Sequence, residues 1–378
     1  MRKITREGVV VAEPGVVAVV RHPRLGAVEA LIEQAIAERV FPGAVLAVVG
    51  PDGLLHLAAY GQLSYGPDAP PAAVDTLYDL ASLTKVVGTT TAVMRLVERG
   101  LLDLDRPVGA DWPAFAVGER ARIRLVHLLT HSAGLPPVFP GHFPVYFRGR
   151  TPSREEIYEE VARRPLEYPP GTRTVYSDLG FLVLGRLLEA LVGPLDLWFW
   201  REIFAPLGMV QTGFNPPRAW RARCAPTELC PWRGRLLIGE VHDECAFAMG
   251  GVAPHAGLFS VAADLARFAR LFLNDGRLDG QPWLHPETIR LFTTRAGLVP
   301  GSSRALGWDT PSPTNAAGQR MSPRAFGHTG FTGTSLWVDP ERGLAVILLS
   351  NRVHPCRQNT RIIAFRPRLH DAVFAALA

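Results

Sequence analysis

Residues 82–99 read SLTKVVGTTTAVMRLVER, and Gly100 follows. The stretch opens with Ser82-Leu83-Thr84-Lys85 and continues with apolar residues at helical spacing through Val87, Val93, Met94 and Val97. A helix is therefore expected over residues 84–99, with Gly100 suited to its end. On a helix, side chains three apart share one face, so the Lys85 amine can reach the Ser82 hydroxyl. The helix start adds free N–H groups and positive potential, which favour a developing anion. Gly88 and Thr89–Thr91 weaken intrinsic helicity and point to close packing there. By itself Ser-x-x-Lys is common; an N-capping serine with an exposed lysine would give the same letters.

The cations sharpen the reading. Of 40 basic residues only Lys3 and Lys85 are lysine; the others are arginine. Arginine stays protonated and cannot accept a proton, whereas a lysine can once burial or nearby positive charge lowers its pKa. A lone internal lysine in so arginine-rich a chain is a candidate for chemistry. The arginines are scattered without a basic block. The formal charge of +5 therefore reads as a solvated surface, and no nucleic-acid partner is expected.

The 378 residues are 47% hydrophobic and 20% charged, an ordinary globular balance with material for a sizeable core. No uncharged apolar run is long enough to span a membrane. Near the N-terminus, Glu13 and Pro14 break the apolar stretches 9–12 and 16–20, and no small-residue cleavage site follows. A secretory leader is not expected, which favours a cytoplasmic chain and leaves a periplasmic one open. The four cysteines form no Cys-x-x-Cys pair and read as buried small hydrophobes.

Elsewhere, helices are expected over 25–38, 123–131, 154–163, 177–192, 262–274 and 286–294. Residues 44–49 and 54–60, around Pro51-Asp52-Gly53, read as strand, turn and strand. Four further strands are expected at 306–308, 325–328, 334–338 and 344–349, the last two joined by a turn at 340–343, with a closing helix at 373–378. Residues 224–251 read as irregular. Strands thus lie at both ends and helices in the middle. The expected fold is α/β plus α: an antiparallel sheet flanked by helices, with a helical insertion. Residues 1–75 and 296–378 would form the sheet region, and 76–295 a mainly helical region carrying Ser82 and Tyr176.

Two further patterns bear on chemistry. Tyr176-Ser177-Asp178 follows a Pro169-Pro170-Gly171 turn and precedes an apolar helix. A tyrosine there can serve as acid or base if cations hold its pKa down; a buried tyrosine beside a capping serine is the plainer alternative. His328-Thr329-Gly330, before Phe331, ends an expected strand. Such an edge can offer N–H groups to an oxyanion, or it can be a simple glycine bulge. His242-Asp243-Glu244 could suggest metal ligands, but His255 is thirteen residues beyond His242; a structural or substrate-loop role is expected, with no metal and no cofactor. No Gly-x-Ser-x-Gly elbow and no P-loop occurs.

Taken in order, Ser-x-x-Lys, Tyr-x-Asp and His-Thr-Gly resemble the motifs of serine β-lactamases, penicillin-binding proteins and related esterases, most closely the class C branch. The segments 128–135, 168–171, 239–244, 250–251 and 255–260 also resemble that family, with likeness to penicillin-binding protein 4B. The resemblance spans about residues 41–353. It implies a β-lactamase/transpeptidase-like fold and an acyl-enzyme mechanism. It makes Ser82 the nucleophile, Lys85 its proton-transfer partner and Tyr176 the general acid/base. Asp178, His328, Thr329 and Gly330 would face substrate, and the N–H groups of Ser82 and Phe331 would form the oxyanion hole. Two departures stand out: Asp178 replaces the usual asparagine, and His328 the usual lysine. The second would make the cation beside a substrate carboxylate pH-dependent around pH 6–7. The implied substrate is a small ester or a D-amino-acid peptide, with a β-lactam as the alternative. A non-catalytic binding protein of the same fold is the reading from another class, and the retained Lys85 speaks against it.

Overall fold

The computed structural model describes residues 18–377. The stretch 9–12, residues 16 and 17 of the stretch 16–20, and the leader reading lie outside them. Five strands form one antiparallel sheet: β1 (Gly43–Val49), β2 (Leu54–Gly61), β3 (Phe326–Thr329), β4 (Ser335–Asp339) and β5 (Leu344–Ser350). Their order is β3-β4-β5-β1-β2, so strands from both ends of the chain meet at the β1–β5 pair, with Ala44 opposite Ser350 and Val49 opposite Ala345.

All seven residues of β1 are buried, because the sheet is covered on both faces. Successive side chains point to opposite faces. Val45, Ala47 and Val49 accordingly pack into one core with Ile347 and Leu349. Ala44, Leu46 and Val48 join the other with Val346 and Leu348. Helix α1 (Gly26–Ala37) and the C-terminal α5 (Ile362–Leu377) close the second core through Val28, Ile32, Phe365 and Leu369. Helix α4 (Ala262–Leu273) covers the first through Leu265 and Phe268. The helical region lies beyond α4. In it the expected 154–163 and 177–192 helices are found as Arg154–Arg163 and α3 (Asp178–Val192). Ser177 caps α3, its Oγ accepting from the Gly180 N–H at 3.1 Å.

The segment after Ser82 is not a plain α-helix. Residues Lys85–Thr90 form a π-helical stretch that continues as α2 (Thr91–Glu98). Its small residues have the expected packing role. A Cβ on Gly88 would lie 2.5 Å from Phe199 Cε2, and Thr89 Oγ1 donates to the Pro254 carbonyl at 2.6 Å. π-Bulges of this kind concentrate at functional sites.

Two expectations are corrected. Residues 306–308 are not a strand; Arg304–Asp309 and Asp309–Gly327 make only isolated bridges. Gly307 has φ +82° and packs on Thr90, while Trp308 is buried against Phe268, Phe272 and Phe326, so this apolar run is core without being sheet. The closing helix begins at Ile362, well before 373, and runs through Pro367. Proline reads as a breaker in sequence, but packing of the apolar face onto the sheet outweighs the lost hydrogen bond. Within 224–251 a short helix, Glu244–Ala248, emerges, capped by Asp243. Cys224, Cys230 and Cys245 are buried and free, whereas Cys356 is exposed.

Candidate active site

Ser82 sits where the chain turns into the π-helical stretch. The preceding Ala81 adopts φ +46°, a left-handed conformation costing about 1–2 kcal/mol for a non-glycine residue. Asp79 sustains it: its buried carboxylate accepts the Ala81 N–H at 2.8 Å and the His242 N–H at 2.6 Å. Lys85 is fully buried, and its ammonium makes three contacts: Ser82 Oγ at 3.0 Å, the His255 carbonyl at 3.0 Å and Asp178 Oδ1 at 2.7 Å. Burial alone would push this amine's pKa down, but the charge of Asp178 outweighs it and the ammonium is held above its ordinary range.

Tyr176 stands between His131 and His328, with ring centroids 4.4 Å and 5.8 Å away. Its Oη is buried and has no hydrogen-bond partner among the described residues. Burial pushes the phenol up, with Lys85 partly offsetting it, so Tyr176 is a protonated donor at rest. His131 accepts the Ser177 N–H through Nδ1 at 3.1 Å, and burial, then Arg304 and Lys85, hold its pKa well below the usual range.

His328 departs from expectation. Its ring is buried, Nδ1 lies 2.8 Å from the Thr329 carbonyl, and Nε2 has no partner among the described residues. Burial, with Arg304 and Lys85 adding to it, pushes its pKa well below 6.5. His328 is therefore neutral throughout pH 6–7 and is not the titrating cation that the sequence suggested.

The turn after His328 is sewn onto the segment that precedes Ser82. Thr332 Oγ1 donates to the Asp79 carbonyl at 2.7 Å, and Thr334 Oγ1 to the Leu80 carbonyl at 3.1 Å. Gly330 is required by this approach, since a Cβ there would lie 2.4 Å from the Leu80 oxygen. Buried Arg366 holds the turn from behind, its Nη2 donating to the carbonyls of Gly330 at 2.6 Å and Thr334 at 2.8 Å. Arg352 Nε donates to the Phe331 carbonyl at 2.7 Å. Within this frame neither the Ser82 nor the Phe331 N–H has a hydrogen-bond partner among the described residues, which leaves both available to an oxyanion.

A cleft of about 280 Å³ opens over Ser82 and includes Tyr176, Asp178 and Phe331. One wall is apolar, formed by Val138, Phe139, Phe143, Leu179 and Leu182. The other carries His242, Glu244 and Arg357. Arg357 is paired with two carboxylates, its Nη2 at 2.5 Å from both Glu228 and Glu244. Against the upward push of burial, His242 and Arg357 bring the Glu228 carboxyl down to about 2. The fold also brings Asp243 and His255 together, Nε2 to Oδ1 at 2.9 Å, with Cys245 close by. That Oδ1 also accepts the Ala246 N–H, and burial keeps the Cys245 thiol protonated. The pair thus braces the segment whose His255 carbonyl holds Lys85.

Ser82, Lys85, Tyr176, Asp178 and Phe331 therefore converge, while His328 and Thr329 supply the adjoining strand edge and Gly330 its turn. Asp79, His131, Arg304, Arg352 and Arg366 were not singled out as site residues. Only His131 carried a signal, inside the helix-end segment; the arginines were hidden among many of their kind.

This geometry is that of a serine acyl-transfer site, and the Beta-lactamase family profile matches residues 28–365. The chain belongs to the Beta-lactamase family. It is 36% identical over 365 residues to an N-acetylmuramyl-L-alanine amidase of Bacillus subtilis (strain 168), covering 88% of this chain and 81% of that protein. It is 35% identical over 309 residues to an Escherichia coli (strain K12) protein named "Putative D-alanyl-D-alanine carboxypeptidase", covering 75% and 70%. A penicillin-binding protein homologue from Caulobacter crescentus shares the fold, with TM-score 0.74, 22% identity and coverage of 96% and 99%. Family and relatives together make the chain a serine hydrolase that works through an acyl-enzyme on ester or amide substrates. No helix among the described residues is long and apolar enough to cross a membrane.

Proposed function

We propose that this hydrolase cleaves amide bonds of short D-amino-acid-containing peptides of the cell-wall type, with Ser82 as nucleophile. The observation that carries the reading is Ser82 Oγ at 3.0 Å from a buried lysine, beside two unengaged backbone N–H groups. The names of the two relatives support this class: an N-acetylmuramyl-L-alanine amidase supports an amide bond, and a "Putative D-alanyl-D-alanine carboxypeptidase" supports the D-amino-acid peptide.

In this mechanism Ser82 Oγ attacks the carbonyl carbon. Its proton passes to Lys85 as Lys85 passes one of its own to Asp178, 2.7 Å away. The oxyanion rests on the Ser82 and Phe331 N–H groups. As the C–N bond breaks, the Tyr176 phenol protonates the leaving nitrogen, and the proton held at Asp178 returns through Lys85 to Tyr176. Water then releases the acyl group by the same steps in reverse. The 76–295 region thereby provides nucleophile and proton transfer, and 296–378 the oxyanion edge.

A second reading, β-lactam hydrolysis, is favoured by the family match. Side-by-side assays of a muramyl-L-alanine amide, a D-Ala-D-Ala peptide, a p-nitrophenyl ester and nitrocefin separate the two. The proposal expects turnover of at least one peptide substrate and of the ester. Rapid nitrocefin turnover without peptide turnover would replace it with the second reading.

A further inference from the structure

Tyr176 reaches the cleft from a loop, and one residue of a different segment holds that loop on both sides of it. His131 follows the helix Leu125–Leu129 and its cap Thr130. Its carbonyl accepts the Val175 N–H at 2.9 Å, and its Nδ1 accepts the Ser177 N–H at 3.1 Å. These two bonds bracket Tyr176. The His131 ring packs against the Tyr176 ring, 4.4 Å between centroids, and against Phe181 of α3 at 5.3 Å. Tyr168 Oη also donates to the His131 carbonyl, at 3.4 Å, which ties in the start of the loop.

Histidine is an uncommon choice for this place. His131 has φ +55°, the left-handed conformation that ends many helices and is usually taken by glycine. A side chain there costs about 1–2 kcal/mol of backbone strain. The ring is 2% exposed, so solvent contact does not offset that cost. The bracket also fixes the form of the ring. Nδ1 accepts a hydrogen bond, so the neutral imidazole carries its proton on Nε2. A doubly protonated ring would turn a second donor onto the Ser177 N–H. Burial, with Arg304 and Lys85 adding to it, keeps the ring in the accepting form.

We infer that His131 is the positioning residue of the proton donor: by gripping the backbone at 175 and 177 it sets where the Tyr176 phenol stands over the leaving atom. His131 is not among the residues that line the cleft, so it acts through Tyr176 and not on substrate. This role rests on the reading of Tyr176 as the acid that protonates the leaving group. His131 should therefore matter in proportion to the leaving group's need for a proton. A p-nitrophenolate departs as a stable anion, whereas an ethoxide must be protonated as it leaves.

The test compares the p-nitrophenyl and ethyl esters of one acid, reading kcat/KM, which reports acylation. His131→Phe keeps an aromatic ring and removes the acceptor at Nδ1. It should lower kcat/KM about 10²- to 10³-fold for the ethyl ester and less than about fivefold for the p-nitrophenyl ester. His131→Asn supplies an amide oxygen for the Ser177 N–H and tolerates the left-handed backbone, so it should recover about tenfold or more of the loss on the ethyl ester. Tyr176→Phe should show the same split between esters. Adding His131→Phe to it should cost less than about threefold more on the ethyl ester, because both changes disable one phenol. Equal losses on the two esters in the His131 variants, or losses that multiply in the double variant, would overturn the assignment and leave His131 a packing residue, with the hydrolase reading intact. A Tyr176→Phe variant without the split, or a wild type that cleaves the p-nitrophenyl ester alone, would instead overturn the acid role of Tyr176, and the assignment with it. Hydrolysis of neither ester by the wild type would overturn the acyl-enzyme reading as a whole.

Discussion

The two sides of the cleft are held by opposite means. On the Ser82 side, polar side chains pair with carboxylates inside the protein: Lys85 with Asp178, and His255 with Asp243. On the strand side, arginines reach backbone carbonyls: Arg366 to Gly330 and Thr334, and Arg352 to Phe331. The first arrangement sets where protons reside; the second sets where N–H groups point. Acyl transfer needs both, and variants on the two sides should fail differently.

The largest effect belongs to Lys85→Arg. The charge and bulk persist but proton exchange ends, so kcat should fall about 10³- to 10⁴-fold. Stopped-flow acylation by a p-nitrophenyl ester measures this, and a loss under tenfold would remove Lys85 from the relay. Gly330→Ala comes next. Its Cβ would strike the Leu80 carbonyl and shift the Phe331 N–H, so kcat should fall about 10²- to 10³-fold. Unchanged kcat would show that the turn does not hold the oxyanion.

Asp178→Asn should change the pH profile more than the maximum. The amide cannot take a proton, so Lys85 must itself be neutral before attack. Losing the carboxylate also lowers the Lys85 pKa from its raised position. The acid limb of kcat/KM should therefore move to higher pH than in the wild type, with the variant about tenfold slower near pH 6 and recovering as pH rises. Superimposable profiles would show that Asp178 takes no part in proton transfer.

The smallest effect is on stability. His56 and His370 are pushed down to about 4 by burial, and His131 and His328 well below 6.5. The unfolded chain binds protons at these positions from about pH 6.5 downward while the folded chain does not, so stability must fall as pH drops. Calorimetry should show Tm lower at pH 5 than at pH 7 by on the order of 5 °C. A Tm that rises toward pH 5 would contradict the neutral histidines.

The same division marks what was legible in the sequence. The strand pair around Pro51-Asp52-Gly53 and the strands on either side of 340–343 follow from apolar runs bounded by turn residues, and these make up four of the sheet's strands. Lys85 stood out because arginine serves as the cation almost everywhere else. That bias also concealed Arg304, Arg352 and Arg366. Scattered arginines read as surface, and only packing from distant segments buries Arg366 under the turn at 330–334. The protonation state of His328 was equally hidden, because it depends on burial and on Arg304, twenty-four residues earlier. Asp178 was expected to face substrate; that its carboxylate also reaches Lys85 depends on how α3 docks against the π-helical stretch.

The central claim is that Ser82 carries the acyl group. Intact-mass measurement after mixing with a penicillin or a slowly deacylating ester, with Ser82→Ala alongside, tests it most directly. The account predicts one adduct of the acyl mass, mapped to the peptide containing Ser82 and absent from Ser82→Ala. An adduct that persists in Ser82→Ala, or maps to another residue, would contradict it.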